Sequence, residues 1–96
     1  MSRRPAGQPS ARAARGLALA RLGQHQAADE EIGAALADAP RNGPVLLYAA
    51  RAEALSGDRI AAVELARRAM DATDPVLPRH QREMARELVS QGQDEP

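Results

Sequence analysis

The sequence predicts an all-α fold in which antiparallel helix pairs stack into a short α-solenoid. Three observations carry that expectation. First, the stretch LGQHQAADEEIGAALADAP at 22–40 is echoed by LSGDRIAAVELARRAMDATDP at 55–75. Gly23 then stands over Gly57, Ala28 over Ala62, Ala35 over Ala69, Leu36 over Met70 and Gly16 over Ala50, all at an offset of 34 residues. A fixed period of this length marks a repeated helix-turn-helix unit, because one helix pair cannot bury its apolar face alone and a stacked neighbour can. Second, the chain holds twenty-two Ala, no Trp or Phe, and Tyr48 as its only aromatic residue. A core without bulky side chains demands thin helices in close approach, and Ala is the strongest helix former. Third, Gly and Pro fall where helices of ordinary length should end.

The elements follow in order. Residues 1–9, with Pro5, Gly7 and Pro9, form an arm expected to be disordered, and Ser10 is placed to cap a first helix over 11–22. Gly23 breaks that helix in a tight turn. A second helix over 25–38 carries Ala28, Ile32, Ala35 and Leu36 on one stripe. APRNGP at 39–44 turns the chain between units, a third helix spans 44–56, Gly57-Asp58 makes the matching turn, and a fourth helix spans 59–72. Pro75 and Pro78 bracket a second linker. A fifth helix over 79–90 ends at Gly92, and the final residues fray. The organisation expected is an arm at 1–9, repeat units at 10–42 and 43–76, a capping helix at 77–91 and a tail at 92–96. Small residues at 16, 28, 35, 50, 62 and 69 mark the places where helices cross most closely.

These residues resemble the tetratricopeptide repeat, a helix pair with a small residue in its first helix, Gly at the turn, two small residues in its second helix and Pro at its end. Gly16, Gly23, Ala28, Ala35 and Pro40 match in the first unit; Ala50, Gly57, Asp58, Ala62 and Ala69 match in the second. The resemblance covers about 10–76, and Ala85, Leu88 and Gly92 recover part of the first-helix pattern after a one-residue insertion near Pro75 and Pro78. The chain departs from the family at Arg12 and Arg15, where large apolar residues are usual, and at Glu53, in a position normally held by an aromatic.

Composition bounds the function. Ninety-six residues make one small domain, which buries roughly 60–68% of the surface its unfolded chain exposes. Thirteen basic and thirteen acidic residues cancel, so no global field draws in nucleic acid or anionic membrane. All the basic residues are Arg; this excludes lysine chemistry and, with the Ala excess, suits the codon usage of a GC-rich bacterial genome. The absence of Cys removes disulfides, thiol nucleophiles and thiolate metal sites. No apolar run follows Arg3 and Arg4 as an export signal requires, and none approaches the ~18 residues that span a bilayer. A cytoplasmic protein without a membrane partner is expected.

Catalysis is not expected. His25 and His80 lie far apart, and neither has a second His one turn away to complete a helical metal site. Asp29, Glu30 and Glu31 sit near a helix start, where the macrodipole favours them. No enzyme, cofactor or metal assignment follows. The resemblance implies instead that the first helix of each pair lines a concave face. By register that brings Leu17, Leu47, Arg51, Arg82 and Arg86 inward, with Arg79 alongside them, as an apolar strip beside a basic patch. Such a face suits an acidic peptide or protein segment, since Arg pairs bidentately with carboxylates. The alternative for these arginines is a solvated face paired with Glu83 and Glu87. The family's carboxylate clamp is not matched, because its Lys and Asn places hold Ala13, Leu17 and Tyr48. Two other functions stay open: an oligomerisation piece of a larger helical assembly, including a homo-oligomer, and phosphate contact through the basic stretch Arg3, Arg4, Arg12, Arg15 and Arg21. The latter lacks the interleaved aromatics that stack on bases.

Overall fold

The computed structural model describes residues 8–93; most of the expected arm and the last three residues of the tail lie outside them. Five helices follow one another: α1 Pro9–Arg21, α2 His25–Asp38, α3 Gly43–Ser56, α4 Arg59–Asp71 and α5 Arg79–Gln93. The described residues hold no strand, and neighbouring helices pack against each other in a helical-repeat arrangement. The body is elongated, 53 × 29 × 19 Å. None of the described helices is long and apolar enough to cross a membrane.

Local chemistry explains the boundaries. Gly23 and Gly57 both adopt positive φ, 83° and 93°, a conformation open to Gly at no steric cost, so the two hairpins turn alike. Asn42 caps α3 by accepting from the Val45 N–H at 3.1 Å, and Asp58 caps α4 by accepting from the Ala61 N–H at 3.0 Å. Ser10 does not cap α1. The helix starts two residues earlier than expected, on Pro9, with Gln8 as the N-cap and no side-chain cap bond. Proline at the first helical position is pre-set in φ and gives up an N–H that would be unpaired there anyway. Gly92 does not stop α5, which continues to Gln93; its backbone lacks the positive φ that ends a helix at Gly. Its missing side chain serves close approach instead, because a Cβ there would collide with Val63.

Among the described residues, twelve of the eighteen buried apolar ones are Ala, so the core is made by backbones meeting closely. A Cβ built on Gly16 would lie 2.5 Å from Ile32 Cγ1 and 3.2 Å from the Ala28 carbonyl oxygen, which fixes the α1–α2 crossing. Ala28, Ala35, Ala62 and Ala69 are all buried, as the repeat requires. α3 is the centre. Its Leu46, Leu47 and Ala50 pack with Ala66, Ala69, Leu77 and Ala85, while Ala49 and Ala52 pack with Leu17, Ala28 and Ile32. Across α1 and α2 runs the exposed pair Arg12 Nε to Glu31 Oε1 at 3.0 Å, worth at most about 1 kcal/mol. Asp29, Glu30 and Glu31 fall in the second turn of α2 and not the first, so the macrodipole reaches them less than their position in the sequence suggests.

The second linker is part of the core. The Gly43 N–H donates to the Pro75 carbonyl at 2.9 Å and the Asp74 N–H to the Arg41 carbonyl at 3.2 Å, while Leu77 is 1% exposed. The stretch from 72 to 78 is longer than its counterpart from 39 to 42. Against the pair that precedes it, α3 leans on α1 more than on α2, whereas α5 leans on α4 more than on α3.

Two outcomes test this packing. Ala35→Leu and Ala69→Leu each overfill a crossing and should lower unfolding free energy by about 1–3 kcal/mol in urea titrations, while Ala18→Leu on the exposed side of α1 should stay within about 0.5 kcal/mol. Gln81 sits one turn before buried Ala85, and its Oε1 is buried without a hydrogen-bond partner. Gln81→Met should therefore raise stability by about 1 kcal/mol, read by the same titration.

Candidate functional site

α3 is buried on nearly every side except for one flank, along which Pro44, Tyr48, Arg51 and Leu55 follow at intervals of four, three and four residues. That spacing keeps them on one stripe. Pro44, Tyr48 and Arg51 are partly buried, and Leu55 is 50% exposed. Tyr48 rests its ring on core residues of α1, α2 and α3, including Ala13, Ala35 and Val45. Further along, Arg51 joins Met84, Glu87, Leu88 and Gln91 of α5 around an open depression of about 260 Å³. An aromatic ring, a guanidinium and an aliphatic side chain thus line one accessible stripe, walled by α5 at Arg51.

The residues expected from sequence divide differently. Leu17 and Leu47 are 4% and 2% exposed and belong to the core; they offer no accessible apolar strip. The reason lies in the register. α3 is apolar over 45–50, so periodicity cannot say which of Leu47 and Tyr48 faces out, and packing on both sides decides for Tyr48. Leu17, the equivalent of Arg51 in the first unit, is covered. Arg51 is on the accessible stripe. Arg79 and Arg86 are exposed, and partly buried Arg82 donates through Nη2 to the Leu77 carbonyl at 3.5 Å. Positions 79, 82 and 86 share one flank of α5, and the residues that meet Arg51 share the other. One three-guanidinium patch is therefore not assembled with Arg51. Tyr48 and Leu55 are the surface residues that sequence reasoning missed; the apolar run at 45–50 carries no signal that separates Tyr48 from Leu47.

At the other end of the unit Glu53 is partly buried, and its carboxyl is held above the usual range, first by loss of solvent and then by the nearby charges of Asp29 and Asp58. The Ser56 hydroxyl donates to the Glu53 carbonyl at 2.9 Å and reaches its Oε1 at 3.5 Å, which partly offsets the shift. Among the described residues no group of three or more His, Asp or Glu side chains is arranged to hold a metal ion. Comparison with protein-family models, curated proteins and solved structures finds no match for this chain.

Because folding raises the Glu53 pKa, the folded state favours its protonated form. This contribution is full below the unfolded pKa and is lost as pH rises through the folded value. Glu53→Gln keeps a neutral acceptor at every pH. The variant should be more stable than wild type at pH 7, and the difference should shrink as both are titrated down through the carboxylate range in parallel thermal melts.

Proposed function

We propose that this chain is a non-catalytic protein-interaction module of the tetratricopeptide type, which receives a segment of a partner protein along the open flank of α3. The observation that carries this is the flank itself: the most enclosed helix of the molecule leaves one stripe accessible, and that stripe holds the sole aromatic side chain and a partly desolvated arginine. Tyr and Arg are the residues that most often dominate binding energy at interfaces, and a rigid, pre-positioned surface lowers the entropy lost on binding. The repeat assignment is supported by the equal turns at Gly23 and Gly57 and by the buried small residues at matching places in both units. Arg51 gives the site a preference for a carboxylate, and Tyr48, Leu55 and Met84 give it a preference for an apolar neighbour of that carboxylate. The absence of Cys and Lys and the separation of His25 from His80 support the non-catalytic assignment.

Selection from a displayed peptide library tests the proposal. Enriched peptides should pair an acidic residue with an apolar one, and Arg51→Glu should weaken them by at least about tenfold, or 1.4 kcal/mol, with the thermal melt nearly unchanged. Leu17→Ser should act in the opposite way, lowering the unfolding free energy by about 2–5 kcal/mol as a buried leucine is lost. Peptides that bind equally well to Arg51→Glu would refute the site.

A further inference from the structure

The outer faces of α2 and α4 are equivalent under the 34-residue repeat but differ in chemistry. On α2 the solvent-facing stripe is Gln26, Glu30, Gly33 and Ala37; on α4 it is Ile60, Glu64, Arg67 and Asp71, and all eight are exposed. Every charged residue of α2 is acidic, whereas α4 carries three arginines. Gly33 is a flat point, with nothing beyond its own helix backbone within 4 Å of where a Cβ would stand. Ile60 is 82% exposed and borders an open groove of about 610 Å³ together with Val63, Glu64, Arg67 and Gly92.

A single exposed isoleucine is ordinary on a protein surface. The complement to this one lies on the same chain. Each stripe steps by four, three and four residues, a spacing that reads identically in both directions, so α4 of one molecule can lie antiparallel on α2 of another with every position matched. Ile60 then meets Ala37, Glu64 meets the open ground of Gly33, Arg67 meets Glu30, and Asp71 meets Gln26. A parallel alignment would set Glu64 against Glu30 and Ile60 against Gln26, opposing two like charges and leaving the isoleucine beside a polar amide. Charge therefore selects the direction.

We infer that the outer face of α4, anchored by Ile60, docks a second copy of this chain through the outer face of that copy's α2. The contact is heterologous: each molecule that uses its α4 face keeps its α2 face free, so assembly continues past two copies into a chain or ring. Zero net charge removes the long-range repulsion that would oppose it. The open flank of α3 takes no part in the contact.

Sedimentation equilibrium of the full chain over a wide dilution range tests this. The average mass should climb beyond two copies and fall with added salt. Ile60→Glu spoils only the α4 face and Ala37→Glu only the α2 face; both positions are exposed, so circular dichroism should match wild type. Each variant alone should associate at least about tenfold more weakly, whereas an equimolar mixture, with one good face of each kind, should form a pair and stop there. In the charge register, Arg67→Glu and Glu30→Arg should each weaken assembly, and the two together in one chain should restore it. A wild type that stays single at every concentration overturns the inference and leaves the α4 face to a different protein. Association untouched by Ile60→Glu and Ala37→Glu, a mixture that forms no pair, or a double charge variant without recovery overturns it equally.

Discussion

The molecule depends on how closely its helix backbones can approach. Gly16 lies so near Ile32 and the Ala28 carbonyl that a side chain there would displace Ile32, and Ala35 and Ala69 lie at helix crossings without measurable exposure. A buried Ala removes little apolar surface from water, so each contributes less than a Leu or Phe would. The compensation is density. Thin helices bring many backbone and Cβ atoms into dispersion range, and disturbing one close crossing opens or strains its neighbours.

This constraint places α3 at the centre. Its larger side chains, Val45, Leu46 and Leu47, are all but fully buried, and they face partners from both the preceding and the following helices. A helix enclosed on so many sides has little freedom to rotate, so the flank that stays open is held in a fixed orientation. Tyr48 and Arg51 are accessible for the same reason that Leu47 is not. The linker after α4 reinforces the arrangement: Leu77 fills the core, Pro75 accepts from Gly43, and α5 is set against α4 with Met84, Glu87 and Gln91 beside Arg51. The wall of the site comes from the element that departs most from the repeat.

Chemical divergence between equivalent positions is where function is to be sought. The inner positions agree in both units, Ala28 with Ala62 and Ala35 with Ala69, and all four are buried. Outside the crossings the units differ: buried Leu17 corresponds to accessible Arg51, Gln26 to Ile60 and Gly33 to Arg67. Packing requires an apolar residue at Leu17, but it imposes neither of the two differences on the exposed outer faces. They make one end of the array acidic and flat on its outer side and the other end basic with an aliphatic projection.

The sequence by itself determined the number of helices, their pairing, the turns at Gly23 and Gly57 and the small residues at the crossings, because each is a local or periodic property: a glycine with positive φ, a cap, or a fixed spacing of 34 residues. Helix ends were legible to within a few residues, and the errors at Ser10 and Gly92 arose where two local signals competed, proline against serine for the start of α1 and helix termination against close approach to Val63 for Gly92. Only the tertiary structure decided which side of α3 faces out. Its run of apolar residues has no polar face to mark the surface, so the choice between Leu47 and Tyr48 rests on which side α1, α4 and α5 leave open. It also decided that Arg79, Arg82 and Arg86 lie on the flank of α5 turned away from Arg51, since the rotation of a docked helix is set by the partners it packs against, and those partners are distant in sequence.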